Sequence, residues 1–178
     1  MSFSGHRSFL VTPVKDVFLS WWHVISSETA SGTAKADRAV LRRADTLTAL
    51  ACTPAYQRVY RKMAAANEGA LWRPFEQERV AAIIGLAAHV KDKIPRSLPQ
   101  AMSFHAAPAD SNPVSDMRFA RLLDSPDIDS LFSGLRRALP LIEYKVDPSS
   151  LADDLFGWGD EMKKSWAYAY AWTEKTSN

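Results

Sequence analysis

The chain has 178 residues, a formal net charge of +2 and 47% hydrophobic residues, a composition that buries a real core and excludes a disordered protein. A single cysteine, Cys52, excludes an internal disulfide and any CxxC metal pair, and it fits a reducing, cytoplasmic compartment. The first residues lack a basic-then-apolar leader pattern, and no apolar run approaches the roughly 20 residues that span a bilayer, so no membrane association is expected.

The elements follow in chain order. Thr12-Pro13 predicts a helix start, with a capping hydroxyl and a proline at the first helical position. From Val14 to Ser27, residues Val17, Phe18, Trp21, Trp22 and Ile25 recur at helical spacing. Gly32 breaks the pattern. A second helix is expected from about Ala34 to Ala51, with Val40, Leu41, Ala44, Leu47 and Leu50 inward. Thr53-Pro54 opens a third, with Tyr56, Val59, Tyr60 and Met63 on one stripe, and Trp72-Arg73-Pro74 leads into a fourth through Val80, Ile83, Ile84 and Ala87, ending near Lys91.

Residues 93–113 hold four prolines and no clear period, which predicts a linker or a functional loop. Helical spacing returns in Val114 to Leu123 and again after Ser125-Pro126, the expected cap of the next helix, through Ile128, Leu131, Leu135 and Leu139. Asp147-Pro148 starts another helix, and the last runs from Asp160 to about Lys175 through Met162, Trp166 and Tyr170. No alternating strand pattern occurs. The expected fold is all-α, with helical bundles over 1–92 and 114–178 joined by the loop 93–113.

Enzyme signatures fail. The sequence has no GxxxxGK[ST], GxGxxG after a strand, HExxH or GxSxG. His6, His23, His89 and His105 share no metal-ligand spacing, with His23 expected at the core edge and His89 as a helix cap. Asp153-Asp154 is the one notable carboxylate pair. Adjacent helical residues point about 100° apart, so the pair is read as a complement to the helix dipole, with a metal-dependent nuclease as the rival. No catalytic residue, metal or cofactor is expected.

Charge is uneven. Residues 35–96 hold 12 Lys/Arg against 6 Asp/Glu, which points to a basic face. Arg38 and Arg42 lie one helical turn apart, Arg43 extends that face, and Arg58, Arg61 and Lys62 form a second cluster. Arg118 and Arg121 are three apart, between Asp116 and Asp124, and are read either as phosphate contacts or as ion pairs. Arg136 and Arg137 close their helix. Guanidinium groups suit phosphate because the planar fork donates two bonds and its charge does not titrate away. Contacts of that kind fix position on a backbone without reading bases. The alternative is an all-helical adaptor whose arginines meet acidic protein surfaces.

The order of motifs adds a resemblance. Trp21-Trp22, then Arg38-Ala-Val-Leu-Arg-Arg-Ala44, then Thr53-Pro-Ala-Tyr56 resemble the CasB family, the small subunit of the type I-E CRISPR complex Cascade. The second half is similar too, with Val114-Ser-Asp-Met-Arg-Phe-Ala-Arg-Leu-Leu123, Leu135-Arg-Arg137, Leu151-Ala-Asp-Asp-Leu155, Trp158 and Trp166-Ala-Tyr-Ala-Tyr170. Where that family often carries Ser-x-Gly, this chain has Ser103-Phe-His105. The resemblance implies two helical bundles and no catalytic activity. It implies as partners the large subunit, the crRNA-carrying backbone subunits, further copies of this chain, crRNA and both target and non-target DNA strands. Matched position by position, Arg42 and Arg43 correspond to the paired arginines of the second helix, and Arg136 and Arg137 to those of Leu-Arg-Arg. Arg118 and Arg121 match the Arg-Phe-x-Arg element. Arg38 shares the Arg42 face, and Lys93 and Arg96 are added by their position at the start of the loop.

Overall fold

A run of apolar residues with no polar face cannot sit at a surface, and Val80 to Ala87 is such a run. In the computed structural model, which describes residues 11–107 and 111–174, all eight of these residues are buried. They belong to the fifth of the helices α1 (Thr12–Ser26), α2 (Gly32–Arg43), α3 (Leu47–Ala51), α4 (Pro54–Ala65), α5 (Pro74–Ala87), α6 (Leu98–Met102), α7 (Asp116–Leu123), α8 (Ile128–Ala138), α9 (Pro148–Phe156) and α10 (Asp160–Ala169). Helix α5 packs against α2, α3, α4, α8 and α9. On one side α1, α2 and α4 pack together, and on the other α6, α7, α8 and α10 are linked by mutual contacts. One buried apolar cluster runs through both sides, from Val14 to Tyr170. The fold is all-α. Among the described residues the β-type pairing is a single isolated parallel bridge, Asp92 to Lys145.

Local hydrogen bonding explains where the helices differ from the sequence expectation. The predicted helix from Ala34 to Ala51 is two helices, because the Thr46 hydroxyl accepts from Ala49 N at 3.1 Å and starts α3 anew after α2 ends at Arg43. Its front lies earlier than expected, with Gly32 as the first helical residue, and Ser31 caps it by accepting from Ala34 N. Thr12 is itself helical and makes no capping bond; Val11 holds the N-cap position. Thr53 does cap α4, accepting from Tyr56 N at 3.2 Å. Ser125 does not cap α8. Asp127 does, accepting from Ser130 N at 2.7 Å.

The proline-rich segment is not structureless throughout, since Ser97 and Gln100 form a capping box that starts α6. The last helix stops at Ala169, and Lys175, His6 and residues 108–110 lie outside the described residues. No helix among the described residues is long and apolar enough to cross a membrane.

Candidate nucleic-acid interface

Helix ends leave carbonyl oxygens without partners inside the helix. Arg38 is spent on that need. Its guanidinium donates from Nε to Ala88 O (2.9 Å), from Nη2 to Val90 O (2.8 Å) and from Nη1 to Ile25 O (3.5 Å). One side chain of α2 thereby ties the ends of α5 and α1. Burial, and then Arg42 alongside, push its pKa down, although a guanidinium stays cationic at neutral pH. Arg38, expected on phosphate, has its guanidinium engaged by these carbonyls. Arg79 is a second such clamp, reaching Phe156 O and Trp158 O at the end of α9.

Arg42, one turn on from Arg38, faces the end of α8. Its carbonyl accepts from Arg136 Nη2 at 3.2 Å, which holds α2 against α8. Arg42, Arg136 and Arg137 then wall an open cleft of about 470 Å3, with Asp45, Ser133, His89 and Tyr144 completing it. Three residues expected from two distant motifs are brought together here. The Nε atoms of Arg42 and Arg136 and the Nε2 atom of His89 are buried, with no hydrogen-bond partner among the described residues. Three guanidinium groups against one carboxylate, Asp45, leave the wall net positive and attractive to an anion. His89 stacks on Tyr144, with centroids 6.4 Å apart and planes at 11°. Burial first, then Arg42, Arg136 and Arg38, push its pKa down to about 4, so the ring is neutral at pH 7.

The other expected contacts lie elsewhere. Arg43 is exposed, donates to Ala39 O of its own helix at 3.2 Å, and does not line the cleft. Lys93 is exposed, and the Arg96 guanidinium sits 3.3 Å above the Phe104 ring. Arg118 and Arg121 are exposed on α7 and form no ion pair among the described residues. Asp116, the neighbour that could have paired with Arg118, is taken by Thr173 and Tyr170. On α4, Arg58 pairs with Asp37, while Arg61 and Lys62 are exposed.

Asp153 and Asp154 are buried in α9, past its first turn. Asp153 takes the Lys15 ammonium and Asp154 accepts from Trp166 Nε1 at 2.9 Å, so both join helices rather than complement a dipole. No group of three metal-ligating side chains occurs among the described residues. His23 is exposed rather than at the core edge, and His105 bonds Asn112 at 2.7 Å.

Sequence reasoning missed His89 and Tyr144 as members of the site. The signal available was a histidine closing the most apolar helix of the chain, a position whose side chain is held against whatever packs on that helix end.

Fold and site together define an all-helical protein with an arginine cleft built where two separate helices meet. Residues 37–170 match the family model described as CRISPR-associated protein Cse2. Two solved structures are similar to the chain. One is described as CasB from Thermus thermophilus, with 25% identity, 88% of this chain and 96% of that chain covered, and a TM-score of 0.62. The other, also from Thermus thermophilus, is described as a CRISPR-associated protein of the Cse2 family, with 28% identity, the same coverage and a TM-score of 0.60. No curated protein sequence matches. The chain belongs to the Cse2 family, and is thereby the CasB-type member of Cascade that its ordered motifs resemble.

Proposed function

We propose that this chain is the non-catalytic small subunit of Cascade and that it holds nucleic-acid backbone through Arg42, Arg136 and Arg137, stabilising the R-loop. The observation that carries this is the convergence of those three arginines on one open cleft. A phosphate offers acceptor oxygens and negative charge to all three guanidinium groups. Exchange of a DNA duplex for an RNA–DNA hybrid is nearly balanced in energy, so a few backbone contacts tip it. Arg43, Lys93, Arg118 and Arg121 stand exposed and extend the contact along a strand, whereas Arg38 serves the fold. Exposed apolar side chains such as Leu71, Met117 and Tyr168 fit contacts with other Cascade subunits or a second copy of this chain.

The test is fluorescence anisotropy with single- and double-stranded DNA across a salt series. Three phosphate contacts on a single strand predict a log–log salt slope of about −2 from the cleft alone. Arg136→Glu should abolish that share. Undetectable binding in low salt would favour the adaptor reading instead.

A further inference from the structure

The phosphate reading leaves one group of the cleft without a task. His89 closes α5, lines the cleft, and has its Nε2 atom buried with no partner among the described residues. Its charged surroundings come from every side. Helix α2 contributes Arg38 and Arg42, and α8 contributes Arg136 and Arg137. Asp45 is the one carboxylate on the cleft wall. Tyr144 covers the ring face, and the Lys91 ammonium lies 4.8 Å over the Tyr144 ring. Cations outnumber anions around this imidazole, which disfavours a proton on it.

A phosphate bound between Arg42 and Arg136 reverses that balance. Its negative charge offsets the two nearest guanidinium groups and favours the charged form of the imidazole that lines the cleft beside them. Neutral imidazole gains less, because only a charged ring is attracted to the anion. We infer that His89 is a conditional cation of this cleft, its ring neutral in the free protein and protonated when a nucleic-acid phosphate is seated on Arg42 and Arg136. Binding is then coupled to uptake of one proton. The inference rests on the phosphate reading and names a further residue of that site.

The sign follows from linkage. A group whose pKa is raised in the complex makes binding tighter as pH falls through the raised value. The free ring titrates at about 4. If the seated phosphate returns it to about 6, close to the ordinary histidine range, affinity at pH 5 exceeds affinity at pH 8 by about tenfold.

The experiment uses the full chain, isotope-labelled, with an oligothymidylate, whose bases do not titrate near pH 5. The His89 ring resonances are followed from pH 8 to pH 5 with and without the oligonucleotide, and affinity is measured at both ends. The expected result is a His89 ring that stays neutral over this range in the free protein and gains its proton within the range on binding, together with a pH-dependent affinity that His89→Gln flattens. Binding that Arg136→Glu abolishes but that leaves the His89 titration unmoved overturns the inference while sparing the phosphate reading. A pH dependence that survives His89→Gln overturns it as well. No oligothymidylate binding under any condition overturns both.

Discussion

Arg38→Met separates a structural arginine from a nucleic-acid arginine. The substitution keeps most of the aliphatic stem and removes the guanidinium that donates to Ala88 O, Val90 O and Ile25 O. The first two bonds are short and charge-assisted, and each such bond contributes about 1.5–3 kcal/mol. The third, at 3.5 Å, adds little. Arg38 is only partly buried, so water reaches some of the abandoned carbonyls and recovers part of the loss. The net cost is about 2–4 kcal/mol, equivalent to a melting temperature lowered by on the order of 10 °C in a chain of this size. Thermal unfolding followed by circular dichroism measures it, and anisotropy on the folded variant should return the parental salt slope. A variant that melts within about 2 °C of the parent but binds DNA with a shallower slope would refute the clamp.

Gly85→Ala tests the packing of α5. A Cβ there would lie 2.8 Å from Leu50 Cδ2 and 2.9 Å from Phe132 Cε2; the overpacking cost outweighs the gain of about 1 kcal/mol in helix propensity and leaves a net loss of about 1–2 kcal/mol. A urea midpoint that rises would contradict this. Asp116 tests the attachment of the chain beyond α10. Thr173, and also Tyr170, hold its carboxyl below the usual carboxylate range. Its pKa is lower folded than unfolded, so its contribution is fully present above the ordinary carboxylate value and is lost as pH falls through the folded one. The protection of the Thr173 amide against exchange, relative to its intrinsic rate, should fall on acidification through that window, and in Asp116→Asn that acid-dependent step should disappear; an unchanged acid profile in the variant would count against the contact.

The all-α class was legible because the apolar residues recur at helical steps, and the family because its motifs come in order. Helix boundaries were less so. Nothing in Ala44-Asp45-Thr46 distinguishes a capping threonine from one on a helix surface until the Thr46 hydroxyl is seen to accept from Ala49 N. The same competition placed the α8 cap at Asp127 rather than Ser125. At the site, spacing put Arg38 and Arg42 on one face, but a shared face does not say what that face meets. The carbonyl ends of α1 and α5 consume Arg38, while Arg42, one turn away, opens onto the end of α8. The convergence of Arg42 with Arg136 and Arg137 is tertiary. It depends on α5 holding α2 and α8 on its own surface, which no local pattern encodes. His89 entered the site for the same reason.

The positive charge of the cleft is proposed to act on a nucleic-acid backbone. The most direct test is the lifetime of the target R-loop on Cascade assembled with Arg42→Glu, Arg136→Glu and Arg137→Glu together, after circular dichroism confirms the fold. Loss of three charge-assisted phosphate contacts predicts a lifetime shortened by at least about tenfold, with a weaker dependence on salt. A lifetime and salt dependence equal to those of the unaltered complex would contradict it.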